Sequence, residues 1–542
     1  MSGSTLIEAF GDIVFTFTRS VTEHYNPEEP EFTTESFGYD PLQSTGREWN
    51  YHPVTELIYQ EYSDRQLTSV NYLLATSSLK VRVIDACKPE ECEETEDIQH
   101  DENKEMAWKR LRPSALRTVF KSMYIGALIS LLTASMIGTI YLLLSYLSYK
   151  TVMNCEYQSD KMAVFVQWTR TIADIISTAF YYICPVSTLF LLFRPYQLNG
   201  VKRKLILVSF VMYCLDSLYR GVLQAWGKPF FKLTGLLSAL SVGLVYFFVF
   251  TNVCLLFYFA AKHVLVRPKP KLAFLICKMA MPTFCALIAA FAIRFFVYPA
   301  YINENKEGKL LIALFSPLMG VAFKAVSRIC VQRLWNITHP GYSYVLLAPL
   351  YFLLAIMFRI LQADLDSLKS IAILGIIHGF AEVVERSTVV VIDHVCHQIC
   401  RRESSPWGSF RTPRRERLMA DIAIMSMLFE STAIVSVNGF LHLYQWIFLE
   451  DDSLLSLLQS FVIRTSVPLV IEWFFTSVSL AIETRYQNMA VMAVWRRQWK
   501  RHILVAVINV FPVALWTSVN LLGIVHGRFS KPISEPCKIP FS

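Results

Sequence analysis

Residues 371–395 read IAILGIIHGFAEVVERSTVVVIDHV. The run is long and apolar enough to cross a bilayer, since a helix needs about 20 such residues to span ~30 Å of hydrocarbon. It nevertheless carries His378, Glu382, Glu385, Arg386 and Asp393. Ionisable groups inside a membrane face a protein interior or a wet cavity, so this run is expected within a bundle of other membrane helices. On a helix His378, Glu382 and Glu385 fall at i, i+4 and i+7, which is one face. Arg386 follows Glu382 by four, the spacing of an intrahelical ion pair. Asp393 extends the stripe. Gly375 and Gly379 form a G-x-x-x-G, which lets a neighbouring backbone approach closely.

Composition agrees with a membrane setting. Of the 542 residues only 17% are charged and 54% are hydrophobic, with a mean hydropathy of +0.39. A soluble chain averages roughly 25% charged, so a water-soluble enzyme of this size is excluded. The net charge of +8 is unevenly spread. Residues 1–103 hold 21 acids and 6 Lys or Arg, leaving 22 acids and 45 bases for the remainder. The bases sit in short loops between apolar runs, so membrane orientation explains them and nucleic-acid binding does not. Most of the twelve cysteines lie in apolar runs, where thiols behave as small hydrophobes. No secretory signal peptide is expected: the first apolar stretch is short, and Glu8 and Asp12 precede it.

The acidic region 1–103 ends in CKPEECEETEDIQHDEN and is expected to be a largely disordered cytosolic arm. Region 104–525 is the membrane domain, and 526–542 a short extracytosolic tail. Eleven apolar runs fit spans, at 122–148, 169–193, 205–224, 233–260, 272–297, 309–327, 344–362, 370–395, 419–447, 454–481 and 503–525. The fold expected is an all-α, polytopic transmembrane bundle.

Loop charge tests that division. About 28 Lys and Arg fall in the segments sharing a side with the N-terminus, against about 11 opposite. Positive-inside orientation then places the N-terminus in the cytosol and the C-terminus outside. The sequon at Asn336 would face the cytosol and stay unglycosylated. Cys155 and Cys537 would face the other side, where they could form a disulfide or remain free thiols.

Depth along each span groups the polar residues. At ~1.5 Å per residue, Glu382 lies about 18 Å into the eighth span and Arg464 about 15 Å into the tenth. Glu430 reaches a similar level on the ninth, and Glu472 lies deeper on the tenth. Asn438 and His442 sit further out on the ninth. Glu382, Glu385, Glu430 and Glu472 outnumber Arg386 and Arg464, and a dry bundle would have to protonate the surplus. The candidate solute or ion pathway is therefore His378, Glu382, Glu385, Arg386, Glu430, Asn438, His442, Arg464 and Glu472. The same residues could instead be ion pairs that fix helix packing. Arg170 with Asp174, and Asp216 with Arg220, read as self-neutralised i, i+4 pairs.

The segment DHVCHQIC at 393–400 gathers His394, Cys396, His397 and Cys400. Their spacing matches no zinc template, and cysteines beside Arg401 and Arg402 also suit palmitoylation. Plain interfacial residues are the first reading, lipidation the second and a metal site the third; no cofactor is expected. Walker, dinucleotide, H-E-x-x-H and G-x-S-x-G patterns are absent. The leading functional reading is a secondary transporter or ion-conducting protein with its polar site between spans eight, nine and ten. Its partners would be the lipid bilayer and a small solute or ion; the sequence leaves the oligomeric state open. The alternative is a non-transporting receptor or scaffold acting through the N-terminal arm and the Arg-rich loop near residue 410. An intramembrane enzyme using His378 is a third reading.

Overall fold

The computed structural model describes residues 115–152, 164–193, 197–230, 233, 235–264, 269–332, 334, 341–363, 365, 367–401, 413–448, 453–485 and 491–520. The N-terminal region 1–103, the tail 526–542, Asn336, Cys155 and Cys537 lie outside them. Every long element among the described residues is a helix. In chain order they are α1 (Ala115–Val152), α2 (Val164–Leu192), α3 (Lys202–Ala225), α4 (Gly235–Val264), α5 (Lys269–Ala292) and α6 (Lys306–Gln332). They continue as α7 (Ala348–Ala363), α8 (Leu368–Arg401), α9 (Pro413–Phe448), α10 (Leu454–Arg485) and α11 (Val491–Asn520). The protein is an all-α helical bundle.

Nine of these helices are long and apolar enough to cross a membrane, among the described residues. The other two are α7, which has 16 residues, and α8, which carries the charged stripe. Large apolar side chains stand exposed along the outer helices, among them Phe120, Leu236, Phe247 and Leu455. In water such surfaces would drive association; in lipid they are solvated. The chain is a multi-pass membrane protein.

Side-chain contacts give the helix directions. Going up α8 from Gly375 to Gly379 to Arg386, the partners on α10 climb from Ile471 to Phe475 to Glu483, so these two helices run parallel. Between α9 and α10 the order reverses: Asn438 meets Arg464, and His442 meets Ser460. On α2 and α3, Thr171 meets Gln224 while Asp174 meets Arg220, again antiparallel. Even-numbered helices thus run one way and their odd-numbered neighbours the other, as short loops require.

At the centre stand α7 and α9. All of α7 except Pro349 and Phe358 is buried, because α5, α6, α9 and α11 surround it. An apolar helix without a polar face belongs in such a position. Helix α9 packs on α1, α7, α10 and α11. Glycines set the spacing at two seams: a Cβ on Gly439 would lie 2.5 Å from Leu142 of α1, and one on Gly379 would run into the Phe475 ring of α10. The G-x-x-x-G of α8 therefore admits side chains of α10, where the sequence pattern suggested a backbone.

Prolines punctuate α2, α5, α6, α10 and α11. Each lacks an N–H and orphans the carbonyl four residues earlier. Beyond Pro282, α5 opens into a π turn at Ile293–Val297 before a last helical turn at Tyr298–Asn303.

Candidate functional site

The one charged residue of the central helix α7 is Arg359. Since α7 is enclosed on all sides, Arg359 must find its counter-charges inside the protein. It does: Nε lies 3.3 Å from Glu430 of α9, and Nη2 bonds Glu472 of α10. Nη1 donates to Gln362 at 2.9 Å. Gln362 passes its own amide to the Ile371 carbonyl at 3.0 Å, tying the start of α8 to the end of α7. Thr476 donates to the second oxygen of Glu472 at 3.2 Å.

A second cluster adjoins the first. Arg386 of α8 makes a two-pronged bond to Glu483 of α10, with both distances 2.8 Å. Its Nη1 is 3.7 Å from Glu382. Glu382 also accepts from Ser426 of α9 at 3.0 Å. Lys324 of α6 lies 3.7 Å from Glu385 and 5.2 Å above the Tyr351 ring. These groups, with Arg328, line a cavity of about 30 Å³, which is room for about two waters. Glu382 lies within electrostatic reach of Glu430 and Glu472, so the clusters form one network.

The expected residues separate into two sets. His378, Glu382, Glu385, Arg386, Glu430 and Glu472 border this network or lie within a turn of it. Arg386 turns mainly to Glu483, and the intrahelical pair with Glu382 is the longer contact. Asn438 lines a small cavity together with Arg359 and Gln362, whereas His442 and Arg464 lie apart. Asn438 donates to the Arg464 carbonyl at 3.3 Å, the group that Pro468 has orphaned. His442 Nδ1 donates to Asn438 O at 2.7 Å, and its Nε2 lies 3.2 Å from Ser460 Oγ. Arg464 is therefore level with Asn438, about 12 Å along α9 from Glu430, and the common depth inferred for the two is corrected. His378 faces the carbonyls of Ala313 and Leu314 on α6, beside the Pro317 kink. Its Nε2 makes no hydrogen bond.

Four members of the network were missed in the sequence. Arg359 lies inside the seventh span, and an apolar run with no polar face was the signal that a charge there points inward. Lys324 and Arg328 read as loop bases, and Glu483 fell just past the assigned end of the tenth span. With them, among the described residues, four cations face five carboxylates: Lys324, Arg328, Arg359 and Arg386 against Glu382, Glu385, Glu430, Glu472 and Glu483. The surplus of acid expected from the sequence narrows to one.

Two further buried clusters stand elsewhere. Asp421 of α9, fully enclosed, lies 3.2 Å from Arg417 and 3.0 Å from His502 of α11, on which Tyr344 stacks at 4.7 Å. Asp174, read as the partner of Arg170, instead bonds Arg220 across the α2–α3 seam, and Arg220 also holds Asp216 at 3.3 Å. The side chains of Asp393, His394, Cys396, His397 and Cys400 lie outside the described residues. Among the described residues no three His, Cys, Asp or Glu side chains converge as metal ligands.

Comparison with family models, with curated proteins and with solved structures finds no match. The functional reading therefore rests on geometry.

Proposed function

We propose that the protein is a transporter whose α6–α10 charge network takes up and releases one proton or monovalent cation. The observation that carries this is the excess of carboxylate: among the described residues, five acids and four bases share an interior with space for about two waters. One missing positive charge in a low-dielectric site has to be supplied from outside the network.

Glu382 is the best carrier. Its firmest partner is a neutral hydroxyl, Ser426, and Arg386 lies further off while committed to Glu483. Loading Glu382 with a proton would release Arg386 fully to Glu483; unloading would draw it back. His378, one turn away on the same face, offers a relay toward the opposite end of α8. Alternating access would come from movement of α8 and α10 against α7 and α9, around a site held near mid-membrane. The loop bases support an N-terminus on the cytosolic side.

The test is proton and cation flux in proteoliposomes containing a pH-sensitive dye. Wild-type protein should collapse an imposed pH gradient, and Glu382→Gln should lose that flux while keeping its thermal transition. A wild-type protein that passes neither protons nor monovalent cations, or a Glu382→Gln variant with undiminished flux, overturns the proposal. The close Arg386–Glu483 pair favours one competing reading, a receptor or scaffold whose charges only fix packing. There, Glu382→Gln and Glu430→Gln would lower protein abundance together.

A further inference from the structure

A larger cavity lies in the other half of the bundle, among α2, α4, α5 and α11. Its volume is about 180 Å³, more than the ~150 Å³ at which an apolar cavity stays dry and accepts benzene. One wall is a stripe on α4 formed by Val242, Val245, Val249, Val253 and Phe257. The spacing of three and four keeps the stripe on one helix face. It runs about 22 Å at ~1.5 Å per residue, roughly three quarters of a ~30 Å hydrocarbon core. Ala286 and Ala290 of α5 leave the slot open opposite.

Polar groups gather at the end where α4 begins. There Tyr219 donates to Ser241 at 3.1 Å, and Asp174 and Arg220 reach the cavity wall. Arg220 is satisfied by two carboxylates, Asp174 and Asp216. Arg294 of the same wall is not. Among the described residues it has no hydrogen-bond or ion-pair partner, and its guanidinium rests over Phe295 at 5.3 Å. It projects from the π turn Ile293–Val297. Such a turn carries an extra residue, re-aims its side chains, and is frequent at functional sites.

We propose that this cavity binds an amphipathic anion: a single hydrocarbon chain ending in a carboxylate or phosphate. The acid would sit on Arg294 and the chain along the α4 stripe. Asp174 and Asp216 share the single cation Arg220, so one negative charge of that trio remains, and the acid would have to sit on the side of Arg294 away from Asp174. A charge-assisted bond to a partly buried guanidinium outweighs a neutral one, so the site selects acids over alcohols of equal chain length. Two sources supply this chemistry, free fatty acids and the phospholipids of the bilayer. The proposal stands independently of cation transport.

The test uses the full chain in lipid-depleted detergent, with palmitate and hexadecanol as probes. Wild-type protein should bind one palmitate saturably and at least tenfold more tightly than hexadecanol. Arg294→Gln should remove that preference, and Val249→Trp, which fills the slot, should weaken both probes at least tenfold. Thermal unfolding of each variant checks that the fold persists. A phospholipid retained one to one through purification, blocking palmitate in wild type but not in Arg294→Gln, supports the site with the bilayer as source. Absence of saturable binding by either class overturns the proposal, as does binding that both substitutions leave unchanged.

Discussion

Arg359 shows how strongly one side chain can be constrained by its surroundings. It holds Glu430 and Glu472 together from inside a helix that has no polar face. Arg359→Leu would leave two carboxylates buried without a counter-ion, at a cost of about 3–5 kcal/mol. The expected outcome is a fall in thermal transition and yield. Combining it with Glu430→Gln and Glu472→Gln should restore much of the loss, because the uncompensated charge is then gone. Recovery absent from the triple variant would show that Arg359 stabilises mainly by packing. The acids of α8 were legible because their spacing alone defines a face. Arg359 was not, because its partners lie far off in the chain. Asn438 illustrates the same limit: its depth could be read, but not that its amide also serves a carbonyl that a proline on another helix has orphaned.

At the scale of elements, the seam between α8 and α10 couples packing to the charges. Gly379 makes room for Phe475, and seven residues further along α8 Arg386 reaches Glu483. Gly379→Ile would push the helices apart at a cost of about 1–3 kcal/mol, lengthening the Arg386–Glu483 pair. Both a lower thermal transition in detergent and a reduced flux are expected; unchanged values for both would show that the seam has slack. Helix positions and order were readable from hydropathy because lipid demands long apolar runs, although among the described residues nine of the eleven helices are long and apolar enough to span. Helix ends were less so: α1 begins at Ala115 and α10 extends to Arg485. Apolar runs mark the hydrocarbon thickness, whereas backbone hydrogen bonding continues past it.

For the whole molecule, charge outside the bundle makes the checkable statement. If the basic loops face the cytosol, the α7–α8 link faces away from it. A Lys369→Cys variant in a cysteine-depleted background should then react with a membrane-impermeant maleimide in intact cells or sealed vesicles of known sidedness. Labelling only after permeabilisation would invert the topology. The central position of α7 also bears on biogenesis. Arg359 leaves the ribosome 71 residues ahead of Glu430 and 113 ahead of Glu472. At ~5–20 residues per second that is a wait of about 6 to 23 s before the last counter-charge is made. During that interval the nascent α7 carries a bare guanidinium that lipid will not solvate. The helix must be sheltered, at the insertion machinery or beside α5 and α6, until the C-terminal third of the chain closes over it.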